Sequence, residues 1–111
     1  TDLQLEKMYQ WARERGVKYD AVSIATSQIS SEGNGMQYPG MSCLKDSKTG
    51  KQGACDTIIM IGAVEDENLK HSRFISTPKN KLRRDGAPGD PHCEVKFDAL
   101  RARYEDIGYG S

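Results

Sequence analysis

The 111 residues of this chain make one domain at most, with room for a single modest core. Sixteen lysines and arginines balance sixteen aspartates and glutamates, so a net charge of zero neither favours nor excludes a polyanionic partner. Three cysteines without paired spacing, and no apolar run of membrane-spanning length, favour reduced thiols in a cytoplasmic protein. No Cys or His pair has the spacing of a structural zinc site, so we expect no metal.

The first half of the chain predicts a helix, a strand and a long loop. Residues 1–15 place apolar side chains at helical spacing, and Gly16 is expected to end this helix. Residues 21–27 form a nearly continuous run of small apolar residues, which is typical of a parallel strand covered on both faces. Residues 29–42 contain three glycines and a proline, and a loop of this length in a compact domain is usually functional or disordered.

The second half predicts mostly strands. A short helix is expected at 47–55 and a buried strand at 57–61. A further strand at 73–77 is expected to end at Pro78, and residues 94–97 and 102–105 are expected to pair as a hairpin. This order predicts an α/β fold in which parallel strands with helix crossovers precede an antiparallel C-terminal hairpin. The number and order of these elements are typical of half of an α/β domain and not of a complete one.

Positive charge is concentrated in two stretches. Lys45, Lys48 and Lys51 lie in a segment whose only acid is Asp46, and residues 70–84 hold six lysines or arginines and no acid. Locally basic surfaces are compatible with phosphate binding, although a solvated charged face has the same composition. Residues 45–52 do not fit the phosphate-loop pattern G-x-x-x-x-G-K-[ST], so the three lysines suit a nucleic-acid backbone better than a nucleotide.

Three further positions carry the candidate chemistry. Gln28 ends a predicted strand, where a glutamine can hydrogen-bond a γ-phosphate or its attacking water, although an ordinary polar strand end looks the same. Lys79 and Lys81 have the i, i+2 spacing that places two side chains on one side of an extended strand. They could reach one phosphate in the manner of an arginine finger, although an exposed basic turn fits the pattern equally well. Asp56 is expected to be a cap or an ion-pair partner.

In this order, the segments resemble the C-terminal half of the motor domain of hexameric replicative DNA helicases. The similarity is greatest to phage-encoded relatives of DnaB, which have a RecA-like ATPase core, and it extends from Leu3 to Tyr104. The matching motifs are Ser27-Gln28 at a strand end, Lys51-Gln52 before the run Ala54–Ile59, and Lys79-Asn80-Lys81 at the end of the next strand.

The resemblance implies a role for each candidate. Gln28 would sense the nucleotide, while Lys79 and Lys81 would be catalytic fingers that contact ATP in the neighbouring subunit. The second finger is usually arginine, so Arg83 or Arg84 could take the place of Lys81. The DNA-binding residues would be Lys45, Lys48 and Lys51.

The family's Walker A loop, its catalytic glutamate and its Walker B aspartate have no counterpart in this chain. The resemblance therefore implies one domain, residues 1–111, that is part of a longer ATPase and does not hydrolyse ATP alone. In the intact protein it implies ATP and Mg²⁺, single-stranded DNA, a homohexameric ring and, for a phage protein, the host cytoplasm. No tightly bound cofactor is expected in this segment.

Three alternatives remain open on the residues alone. The first is a recombinase-type ATPase with the same core. The second is a non-enzymatic module that binds single-stranded nucleic acid. The third is an α/β domain whose basic segments are merely solvated. A ring or a filament separates the helicase from the recombinase, and salt-dependent DNA binding by the isolated chain identifies the module.

Overall fold

A computed structural model of the chain describes residues 2–44 and 54–107. It begins with helix α1 (Asp2–Tyr19), which continues past the expected end at Gly16. A glycine inside a helix costs only about 1 kcal/mol relative to alanine, so Gly16 alone does not stop it. The helix ends where Asp20 adopts a left-handed conformation with φ of 52°. The amides of Asp20 and Ala21 then bond the carbonyls of Val17 and Gly16, which is a Schellman motif.

Part of the predicted apolar side of α1 is open to solvent. Met8 is 65% exposed and Trp11 is 59% exposed. Arg15 lies over the Trp11 ring, with the guanidinium carbon 5.2 Å from the ring centroid. Amphipathic spacing therefore predicted the helix correctly, although Met8 and Trp11 are not buried by it.

Residues 21–27 do not form the expected parallel strand. They are exposed and belong to neither a strand nor a helix, and Val22 and Ile24 are 88% and 89% exposed. An apolar run becomes a buried strand only where two neighbouring strands and a covering layer are available. Within the described part of the chain, this run has none of these, so the prediction was wrong here.

A four-stranded antiparallel sheet follows, in the spatial order β1-β2-β3-β4. The strands are β1 (Thr57–Gly62), β2 (Ser72–Asn80), β3 (His92–Asp98) and β4 (Arg103–Asp106). The predicted C-terminal hairpin is confirmed as β3 and β4, which pair through Phe97 and Tyr104 among others. The fold is thus a mixture of helix and strand whose sheet is antiparallel.

The expectation of parallel pairing was wrong for β1 and β2. Both strands lie where the sequence predicts them, but they run antiparallel as direct neighbours. Only residues 63–71 connect them, including a short 3-10 helix at Glu67–Leu69. A parallel crossover needs about a dozen residues or more, so this connection permits only antiparallel pairing.

One face of β1 forms the core. The strand alternates exposed and buried residues, and Ile58 and Met60 pack with Leu44. Ile29 and Met41 pack against this cluster from the preceding segment. The period-2 alternation is typical of an antiparallel strand with one covered face, whereas a doubly covered strand would be apolar throughout.

Residues 29–42 form the long connection that the sequence predicts, and Tyr38 and Pro39 anchor it to the rest of the fold. Pro39 is fully buried. Tyr38 stacks on His92 with ring centroids 3.9 Å apart and meets the edge of buried Phe74 at 5.6 Å. Two short 3-10 helices, Ser31–Gly33 and Met41–Cys43, flank this anchored stretch. No helix in the described ranges is both long enough and apolar enough to span a membrane.

Candidate phosphate-binding site

The end of β2 carries two of the predicted site residues, Lys79 and Lys81. Strand β2 continues through Pro78 to Asn80, beyond the expected end at Pro78. It can do so because β2 contains one extra residue between the pairs Met60–Ser76 and Ile58–Lys79. Proline is tolerated at such a bulge because its missing N–H is not required by the ladder.

The bulge determines which face Lys79 occupies. Directly opposed residues of antiparallel strands share a face, so Lys79 lies on the same face as buried Ile58. In an unbroken register, Lys79 would share the other face with Thr77 and Ile75. Bulges beside functional sites commonly re-aim a side chain in this way. The side-chain hydroxyl of Thr57 donates to the Asn80 side-chain oxygen at 3.1 Å, which links the beginning of β1 to the end of β2.

Asp56 lies at the centre of this strand end. Its carboxylate accepts a hydrogen bond from Arg13 Nη1 at 2.7 Å, and its carbonyl accepts one from the Lys81 amide at 2.8 Å. The same Arg13 nitrogen donates to the Ala54 carbonyl at 3.1 Å. Asp56 is thus an ion-pair partner, which agrees with the expectation from the sequence.

Several positive charges act on the Asp56 carboxylate. The hydrogen bond from Arg13 lowers the pKa of Asp56 below its ordinary value; desolvation opposes it, and the positive charges of Arg13, Lys81 and Lys79 lower the pKa further. Three cations therefore act on one carboxylate. We call Arg13, Asp56, Lys79 and Lys81 the strand-end cluster; guanidinium and ammonium groups are the side chains that bind phosphates.

Arg83 and Arg84 follow in an exposed turn. Arg83 Nη1 donates to the Ala87 carbonyl at 3.0 Å, and the Ala87 amide bonds the Arg84 carbonyl. The Arg83 side chain is therefore engaged within its own turn. Lys81 stays the predicted companion of Lys79, and Arg83, the possible substitute, is occupied by the Ala87 carbonyl.

Gln28 lies outside any strand and is exposed. The next residue, Ile29, makes an isolated antiparallel bridge with Leu44 and packs against the cluster that contains Ile58. Gln28 is therefore next in sequence to a residue that packs against the cluster containing Ile58, and Ile58 is the residue that pairs with Lys79. The expected placement at the carboxyl end of a parallel strand is not found.

The predicted DNA-binding lysines, Lys45, Lys48 and Lys51, lie outside the described residues, as does most of the short helix expected at 47–55. The flanking residues are described. Leu44 is buried in the core against Ile58, and Ala54 is buried with its carbonyl bonded to Arg13. The chain therefore leaves and re-enters the described structure close to the strand-end cluster.

Arg13 is the site residue that sequence reasoning missed. It lies on a helix whose other charged residues read as solvent-facing, and its partner Asp56 is 43 residues away. Arg13 becomes a site residue only because the folded chain places two acceptors just before β1, the Ala54 carbonyl and the Asp56 carboxylate, within reach of its guanidinium. A lone arginine in an amphipathic helix gives no such signal.

The described residues contain no group of three His, Cys, Asp or Glu side chains that could hold a metal ion. Comparison with known proteins gives no match to this chain among protein-family models, curated proteins or solved structures.

Proposed function

We propose that this chain is a segment of an ATP-dependent replicative DNA helicase that couples ATP hydrolysis to movement on single-stranded DNA. The observation that carries the proposal is the strand-end cluster, in which the Lys81 amide donates to the Asp56 carbonyl and Lys79 pairs with Ile58, two residues after Asp56. In phosphoryl transfer, catalysis is mostly positioning and charge stabilisation, so cations at a rigid strand end are suitable fingers.

The antiparallel sheet supplies the rigidity that such a role needs. Lys79 is fixed by pairing with Ile58, and Lys81 is fixed through its amide on Asp56. Under this proposal the four strands are the margin of a RecA-like core, whose nucleotide-binding loop belongs to another part of the parent protein. ATP with Mg²⁺ supplies the phosphates, and the two lysines neutralise charge that develops on a neighbouring subunit's nucleotide.

The same proposal gives the preceding segment a role. Lys45, Lys48 and Lys51 would contact the DNA backbone, and Gln28 would report the nucleotide state to the connection at 29–42. The support is that residues 44 and 54 both pack at or near the strand-end cluster. The lysines that contact the nucleotide phosphate and the lysines that contact DNA would then lie at the same end of the sheet.

The test is Lys79→Ala in the intact protein. Because a trans-acting finger stabilises the transition state and not the bound nucleotide, ATPase activity should fall by about 10³-fold or more while nucleotide affinity stays within a factor of about three. The matched control is Lys70→Ala, which removes a lysine paired with Glu67 in the turn before β2. Loss of nucleotide binding together with activity, or unchanged activity, contradicts the finger role.

A non-enzymatic module for single-stranded nucleic acid is the second candidate, and one observation favours it. On the sheet face opposite Phe74, the Phe97 and Tyr104 rings lie 5.2 Å apart and the Arg73 guanidinium lies 4.6 Å from the Phe97 centroid. Tyr104 is half exposed. Aromatic rings beside arginine are platforms for stacking bases. Salt-dependent binding of an oligothymidylate by the 111 residues alone favours this module.

A further inference from the structure

Arg13 holds the beginning of β1 by two contacts from one nitrogen. Nη1 donates to the Asp56 carboxylate at 2.7 Å and to the Ala54 carbonyl at 3.1 Å. A guanidinium carries five N–H donors in a planar fork, and these two contacts use a single nitrogen. The side chains of Arg13 and Asp56 are 39% and 47% exposed, so a solute can reach the pair.

We propose that Arg13 is a third phosphate-binding cation, and that Asp56 is a resident counter-ion that a phosphate displaces from the strand-end cluster. The ligand class is a phosphate group, either the terminal phosphate of a nucleotide or a phosphodiester of DNA. The inference rests on the proposed function for the roles of Lys79 and Lys81, and it adds Arg13 and Asp56 to the site.

The chemistry of the two anions favours a phosphate that replaces the Asp56 carboxylate over one that binds beside it. A carboxylate brings one negative charge and two oxygens, whereas a terminal phosphate brings close to two charges and three oxygens. Arginine binds both groups through the same planar fork, so the acceptor can change while the guanidinium keeps its position against the Ala54 carbonyl. Lys81 is held to Asp56 through its backbone amide and Lys79 pairs with Ile58, so both lysines lie at the end of the sheet where Arg13 binds Asp56.

A purely structural tie between α1 and β1 makes the opposite prediction. If Asp56 only anchors the helix, its removal loosens Arg13 and leaves phosphate affinity unchanged or lower. If Asp56 competes with phosphate, its removal raises that affinity. The sign of the change therefore separates the two roles.

The experiment is calorimetric titration of the 111-residue chain with inorganic tripolyphosphate at low salt. Asp56→Asn should bind about three- to tenfold more tightly than the unchanged chain, because a nearby negative charge is removed. Arg13→Gln should bind more weakly by a similar factor. Glu67→Gln is the matched control, since it removes the same charge from the Lys70 pair in the turn before β2 and should change affinity little.

Several outcomes overturn the inference. These are no binding of tripolyphosphate, unchanged or weaker binding by folded Asp56→Asn, and an equal gain in Glu67→Gln. If Arg13→Gln does not fold by circular dichroism, Arg13→Lys replaces it and should weaken binding through loss of the planar fork. The same titration with oligothymidylate identifies the phosphate source, because the larger gain in Asp56→Asn marks the true ligand.

The two proposals fail separately. If Lys79→Ala abolishes ATPase activity but Asp56→Asn gains no affinity, the finger role stands and the counter-ion role falls. If Asp56→Asn gains affinity but Lys79→Ala leaves the ATPase unchanged, the phosphate site stands without the helicase role.

Discussion

Gly62, at the end of β1, faces Pro39 so closely that a Cβ on Gly62 would lie 2.7 Å from the proline Cδ and would overlap the Gln37 carbonyl oxygen. The connection 29–42 therefore packs against the sheet by backbone contact, beside the Tyr38 ring that stacks on His92. Only glycine permits this approach. If this connection moves with the nucleotide state, as the proposed function requires, these are the contacts that must break.

Gly62→Ala should therefore destabilise the fold. Because backbone atoms block the new methyl group, the free energy of unfolding should fall by about 1–3 kcal/mol in urea denaturation. Gly40→Ala is the control, since no atom lies within 4 Å of its Cβ position and its φ is −88°. That variant should be neutral or slightly stabilising. Equal losses in both variants would contradict the close packing.

The stability of the chain should depend on pH through Asp56. The Arg13 hydrogen bond lowers the pKa of Asp56 in the folded state below its ordinary value of 3.8. The folded state then binds fewer protons than the unfolded state, so the contribution is complete above about pH 3.8 and disappears as the pH falls through the folded pKa. Unfolding of the unchanged chain and Asp56→Asn between pH 2 and pH 6 should converge in acid. When both proteins also carry Arg13→Gln, their stabilities should no longer converge in acid. If the curves of the unchanged chain and Asp56→Asn are parallel from pH 2 to pH 6, the ion pair is excluded in solution.

The middle lysines should set the salt dependence of DNA binding. Reversing Lys48 and Lys51 to glutamate should weaken binding of single-stranded DNA and flatten the slope of log affinity against log salt, by about 0.7 for each lost phosphate contact. Reversing Lys70 and Lys96 instead makes the same change in net charge on exposed positions of the second half. An unchanged slope in the first variant, or equal flattening in the control, removes the assignment.

The exposed apolar run at 21–27 gives a test of the fold. Since Ile24 is 89% exposed, Ile24→Thr should change the free energy of unfolding of the 111-residue chain by no more than about 0.5 kcal/mol. Ile58→Thr, which places a hydroxyl in the core, should cost about 2–4 kcal/mol. A large cost at Ile24 would mean that the run is buried as a strand after all.

Local pattern was sufficient where neighbours in sequence decide the structure. Short apolar runs of β type placed β1 and β2, the turn after Asp98 placed the final hairpin, and helical spacing placed α1. The error at Gly16 has a local cause as well, since the helix ends at the first residue that closes a Schellman motif and not at the first glycine.

The direction of the sheet and the composition of the site depended on distant residues. An apolar run at 21–27 predicts a buried strand, but burial requires partners that this part of the fold does not provide. Lys79 and Lys81 were visible in the sequence as a pair, because side-chain spacing along one strand is a local property. Their face was set by a bulge opposite β1, and their charge balance was set by Asp56 and by Arg13 from α1.

By itself, the sequence determined where β1 to β4 lie along the chain and where cations are concentrated, because propensity and side-chain period act over a few residues. Only the tertiary structure decided that the strands pair antiparallel and that Arg13 meets Asp56 across 43 positions of the chain. The reason is that register, bulges and ion pairs are fixed by packing between segments, where burial of Ile58, Met60 and Phe74 outweighs any preference of a single segment.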